Sequence, residues 1–150
     1  MKTLGIGVDI VQNSRIKKSI TNKKLSMIIN KLNQNKIRTS LFINPNLEDV
    51  KLAKKIGSRC IEIHTGKISN MIKNKQSYVK DLENIKKCAK LGKLLGLEVH
   101  AGHGIDYKTA KILSKIKEIE EFNIGHFIIG ESIFDGFKHT IKKFKRIINS

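Results

Sequence analysis

Cysteine is nearly absent. The chain holds two, Cys60 and Cys88, far apart and in no CxxC pair, which excludes a disulfide framework and a zinc ribbon. Proline occurs once, at Pro45, and no linker, low-complexity tract or internal repeat is present. No run approaches the roughly 20 apolar residues that a membrane span requires. The first ten residues, MKTLGIGVDI, carry one Lys and run into Asp9, unlike a secretory leader. Acidic residues are few, 13 against 30 basic, for a net charge of +17. Arginine is scarcer still: only four of those basic residues are Arg, the side chain suited to forked contacts with bases and phosphates. Lysine is spread along the whole chain, and six Phe and two Tyr offer little for base stacking. Abundant Lys, Ile and Asn follow from AT-rich coding, so nucleic acid is not the expected partner despite the charge. The expectation is one soluble, cytoplasmic domain with free thiols, since 150 residues with 39% hydrophobic content suffice for one core.

What is present alternates. Short β-rich runs occur at residues 4–11, 38–43, 60–63, 97–101 and 122–124. Between them lie Lys-rich stretches with helical apolar spacing, at 23–32, 47–56, 80–95, 109–119 and 133–148. Asn46 and Asp106 stand where helix caps belong, and Gly96 where a helix should end. Residues 66–77 read as the least structured stretch. Strand followed by helix, repeated, predicts a parallel sheet with flanking helices.

In parallel α/β folds the chemistry collects past the C-terminal ends of strands. Three segments stand there: Glu62-Ile63-His64-Thr65-Gly66, His100-Ala101-Gly102-His103-Gly104 and Asn123-Ile124-Gly125-His126. They contain four of the five histidines; His139 reads as part of a solvated helix face. His103, with an ordinary imidazole, suits acid–base work near neutral pH. Glu62 alternates against Ile61 and Ile63, so it should face away from the helix-packed side, into a barrel interior. Gly104 and Gly125 permit close approach of a ligand, and the amides at Gly125 and His126 open a helix, where an anion is favoured. Each segment alone reads as an ordinary turn or ion-paired residue; three on one rim read as a site.

These blocks, with Thr39-Ser40-Leu41-Phe42-Ile43, Leu95-Gly96-Leu97-Glu98-Val99 and Ile128-Ile129-Gly130, resemble the C-terminal half of the pyridoxine 5'-phosphate synthase family from about Asn33 to Ile148. The resemblance implies a partial (β/α)8 TIM barrel of four to five parallel strands with flanking helices, and homo-oligomers. It implies condensation of 3-amino-2-oxopropyl phosphate with 1-deoxy-D-xylulose 5-phosphate in vitamin B6 biosynthesis, with no metal and no organic cofactor. On the matching positions, His103 is the proton donor, Glu62 the carboxylate that stabilises the transition state, and Gly104, Gly125 and His126 the binding site of the amino-ketone phosphate. His100 departs from the pattern, which usually has Asn there. The division expected is residues 1–32 as an atypical strand and helix and 33–150 as the barrel half. Residues 1–32 do not supply the acid/base His and Glu that the family carries early. Leu4-Gly5-Ile6-Gly7-Val8-Asp9-Ile10-Val11 instead resembles the start of holo-[acyl-carrier-protein] synthase, where the position of Asp9 holds magnesium. The alternatives are an inactive, truncated remnant, a phosphate-binding module and, on Asp9 alone, a phosphopantetheinyl transferase.

Overall fold

A computed structural model describes residues 23–149. The elements run α1 (Lys23–Gln34), β1 (Ser40–Ile43), α2 (Leu47–Lys55), β2 (Cys60–His64), α3 (Gly66–Lys73), α4 (Val79–Leu94), β3 (Glu98–Gly102), α5 (Tyr107–Leu113), β4 (Glu121–Asn123), α6 (His126–Asp135) and α7 (Phe137–Ile148). The four strands form one parallel sheet in the order β1-β2-β3-β4, each followed by helix, as in part of a (β/α)8 barrel. The expected strand at 4–11, with Asp9, lies outside the described residues. Among the described residues no helix is long and apolar enough to cross a membrane.

Strand alternation sorts the sheet into two faces. Leu41, Ile43, Ile61, Ile63, Val99 and Ala101 point to the helices and are almost fully buried. They pack with Val50 and Ala53 of α2, Ile68 of α3, Ile85, Cys88 and Ala89 of α4, and Ala110 and Leu113 of α5. Each buried Val, Leu or Ile among them stabilises the fold by about 1.5–3 kcal/mol. The other face carries Cys60, Glu62, His64, Glu98, His100, Gly102, Glu121 and Asn123, with Phe42. The register sets Phe42, Glu62, His100 and Glu121 in one row, and His64, Gly102 and Asn123 in the next. This is the inner face of a barrel wall, and it is where Glu62 was expected.

The caps form as the residues dictate. Asn46 Oδ1 accepts from the Glu48 amide at 2.9 Å, and Asp106 Oδ1 from the Thr109 amide at 2.7 Å. Three expectations need correction. The stretch at 66–77 is not loop: α3 occupies its first eight residues. The helix expected at 133–148 is two helices, broken at Gly136 with φ +75°. The helix expected at 109–119 ends at Leu113. Bonds from the Ile116 amide to Leu113 and the Ile119 amide to Ile116 make tight turns that still deliver both isoleucines to the core.

Candidate active site

Three loops follow the C-terminal ends of β2, β3 and β4, and one threonine ties the first two together. The Thr65 amide donates to Gly102 O at 2.8 Å. Its Oγ1 lies 2.8 Å from both Gly102 O and His103 O, and Ser69 Oγ donates to Thr65 O. These bonds hold His103 in the left-handed region at φ +76°, a conformation that strains a residue with a side chain. The backbone turns there so that the imidazole stacks over His64 of β2, while His103 stays open to solvent.

The ring of His103 stacks on that of His64, centroids 4.7 Å apart and planes 26° off parallel, while Phe42 meets His64 edge-on at 5.2 Å. Gly66 leaves the space: a Cβ there would sit 2.7 Å from His103 Cδ2 and 2.8 Å from His64 Cε1. Burial, and then the adjoining His103, hold the His64 imidazole below its ordinary value. Glu62 reaches across β3 only because Gly102 has no side chain, since a Cβ would fall 1.8 Å from Glu62 Oε1. Asn123 Nδ2 then donates to Glu62 Oε2 at 2.6 Å and fixes the carboxylate under the loops.

Beside these groups opens a cavity of about 630 Å³ lined by His103, Gly104, Gly125 and His126, together with Ser69, Asn70, Lys73, Asp106 and Asn123. Two helix N-termini reach it and differ. That of α5 is closed by the Asp106 carboxylate. That of α6 begins at Gly125, which offers no side-chain cap, so its first amides are open to an anion. Lys73 adds a cation to the lining. An added Cβ at Gly125 would meet nothing within 4 Å, so a side chain there changes the cavity and not the fold.

Four of the five residues singled out in the sequence (His103, Gly104, Gly125 and His126) therefore border one space. Glu62 stands behind Gly102, joined to it through Asn123. His100 does not belong to the rim. It is buried in mid-strand, turned toward the N-terminal ends, with Nε2 3.3 Å from Glu98 Oε1. Ser69 and Lys73 are not evident from the sequence, where 66–77 reads as loop. The spacing of Ile68, Met71 and Ile72, three and four apart, was the signal for helix.

Residues 10–150 match the family described as pyridoxal phosphate biosynthesis protein PdxJ. Relatives named pyridoxine 5'-phosphate synthase include one from Pelagibacter ubique (strain HTCC1062), 57% identical over 143 residues, covering 95% of this chain and 56% of that protein. Another, from Sulfurihydrogenibium sp. (strain YO3AOP1), is 46% identical over 125 residues, 83% of this chain and 50% of that one. A third, from Campylobacter fetus subsp. fetus (strain 82-40), is 36% identical over 152 residues, 87% and 59%. The chain spans about half the length of the curated relatives it matches.

Proposed function

The chain belongs to the PdxJ family of pyridoxal phosphate biosynthesis proteins, and on that premise we propose that its cavity binds 3-amino-2-oxopropyl phosphate for the pyridoxine 5'-phosphate synthase reaction. In that reaction the amino-ketone phosphate condenses with 1-deoxy-D-xylulose 5-phosphate, and water and inorganic phosphate leave. The observation that carries the reading is the single cavity bordered by His103, Gly104, Gly125 and His126 at an uncapped helix N-terminus. The phosphate sits against the α6 amides and Gly104, with Lys73 offsetting its charge and His126 lining the same cavity. His103 delivers a proton to the leaving oxygen, and its strained backbone keeps the ring over the cavity rather than turned away. Glu62, held by Asn123, offers a fixed negative charge to the cation that forms on nitrogen. We place the protein in the cytoplasm and expect it to act as a homo-oligomer.

Binding without ring closure is the second reading. The matched relatives are about twice as long, and the described residues build one open wall of a barrel. Isothermal titration of the purified chain with inorganic phosphate, then with the amino-ketone phosphate, tests the site, and incubation with both substrates tests the reaction. The expected result is saturable binding, lost on Gly125→Phe. Product formation should fall by roughly 10²–10⁴ on His103→Ala with binding kept. Binding with no product from the native chain selects the second reading, and no binding of either phosphate defeats both.

A further inference from the structure

At the opposite end of the sheet from the cavity, Cys60, Glu98 and His100 bring three ligand atoms of different kinds within 4.8 Å of one another. Cys60 and Glu98 open β2 and β3, and His100 lies one inward-facing position along β3. Cys60 and His100 are buried, while the Glu98 side chain is about one-third exposed and leaves a path for an ion. Cys60 Sγ is 3.5 Å from Glu98 Oε2, and His100 Nε2 is 3.3 Å from Glu98 Oε1. A tetrahedral zinc ion, with bonds of about 2.3 Å to sulfur and about 2.0–2.1 Å to nitrogen and oxygen, sets its ligand atoms about 3.3–3.6 Å apart.

Two further observations point to a cation. Among the described residues, the buried His100 Nε2 has no hydrogen-bond partner of proper geometry, and it faces the cluster with Glu98 Oε1 3.3 Å away. The charges also invite a cation. Among the described residues, Arg38 lies on Glu98 at 2.6 Å and near Glu121 at 3.9 Å, one guanidinium against two carboxylates. A divalent ion that displaces the thiol proton to solvent brings the group to neutrality.

The surroundings match what metal ligands need around them. Arg38 donates to Glu98 Oε1 and orients the carboxylate, leaving Oε2 toward the sulfur. His100 Nδ1 faces Glu121 Oε1 at 3.8 Å, the outer carboxylate that a metal-binding imidazole commonly has behind it. We propose that Cys60, Glu98 and His100 form a zinc-class divalent metal site that clasps the N-terminal ends of the strands, with Arg38 and Glu121 as its supporting shell. Cysteine and histidine select a soft ion over magnesium or calcium. The site is separate from the cavity at the strands' other end, so it stands whether or not the cavity turns over substrate.

The test is titration of the purified, metal-free chain with Co²⁺, read by the thiolate-to-cobalt charge-transfer absorption. The expected band saturates at one ion per chain, is removed by Zn²⁺, persists in Cys88→Ser and vanishes in Cys60→Ser. His100→Asn, which installs the residue the resembled family usually has there, should fold and weaken binding at least about tenfold, since loss of an outer partner alone costs roughly 10–100-fold. Zn²⁺ at about 100 times its Kd should raise Tm by roughly 5–10 °C, and Mg²⁺ should not. No band in the native chain, a band that survives Cys60→Ser, or affinity unchanged in His100→Asn would overturn the assignment.

Discussion

Two imidazoles stacked at 4.7 Å cannot both take a proton without opposing one another, and burial decides between them. His64 is half-buried beneath Phe42 and His103, and it is His64 whose imidazole is held down, by burial first and by His103 second. Unfolded, His64 titrates near its ordinary 6.5; folded, it takes its proton only at lower pH. Between those two values the unfolded chain binds more protons, so stability rises with pH across the window and falls as the solution is acidified through it. Proton NMR of the His64 ring should show titration below the ordinary value. His103→Ala should move it back only part of the way, because burial, the larger cause, remains. A His64 that titrates normally in the native chain would show that the ring is neither buried nor stacked in solution. At this scale the sequence was informative about which residues matter and silent about their reach. Position after a β run marked His103 and Gly104. Nothing in the order of residues showed that the absent side chain of Gly102 is what lets Glu62 cross to Asn123. Alternation against Val99 and Ala101 puts His100 on the inner face, but its lean toward Glu98 is a matter of rotamer, which spacing does not encode.

Between elements, the division of labour among helix starts follows from which side chain precedes each one. Asp106 spends its carboxylate on the Thr109 amide, so α5 is held firmly and offers nothing to a ligand. Gly125 does the reverse for α6. Asp106→Ala should therefore destabilise the fold by about 1 kcal/mol, a fall in Tm of about 2–4 °C for a chain of this size. It should also strengthen phosphate binding, because the cavity loses a negative charge from its wall. Thermal unfolding beside phosphate titration checks both, and weaker phosphate binding in the variant would show that Asp106 orders the loop the anion needs. The caps, the four strands and most of the helices were legible from local signals. Helix α3 was obscured because its polar Lys67, Ser69 and Asn70 stand among Ile68, Met71 and Ile72 with no cap residue before them: Thr65 turns its hydroxyl to the neighbouring loop instead. The break between α6 and α7 was hidden by continuous apolar content on both sides of Gly136.

A wall of four parallel strands has two free edges, and here they are β1 and β4 of the described residues. The side near β4 is also the apolar one. Helix α6 buries no residue; Ile129, Ile133 and Phe134 are 61%, 77% and 85% exposed, and Phe137 at the start of α7 adds 59%. Ile129, Ile133 and Phe134 follow one helical stripe, a contiguous face rather than scattered surface residues. The four to five βα units expected from the sequence, too few to close an eight-stranded barrel, already imply surface in need of cover. That this surface would fall on α6 could not, because its apolar residues look the same whether they face a core or water. Such a face is most simply covered by the same face of a second copy, which closes under two-fold symmetry. Light scattering across a concentration series should therefore show a dimer or larger assembly. Phe134→Glu should weaken association at least about tenfold, since one buried aromatic contributes about 1.5–3 kcal/mol and each 1.4 kcal/mol is about a factor of ten in Kd. The cavity lies at the N-terminus of the same helix, so phosphate binding measured on the dissociated variant separates the two roles of α6. Binding kept in a monomer would show the anion site complete in one chain. Binding lost with the dimer would show that the partner copy contributes to it. A native chain that stays monomeric at high concentration would defeat the pairing of α6 faces.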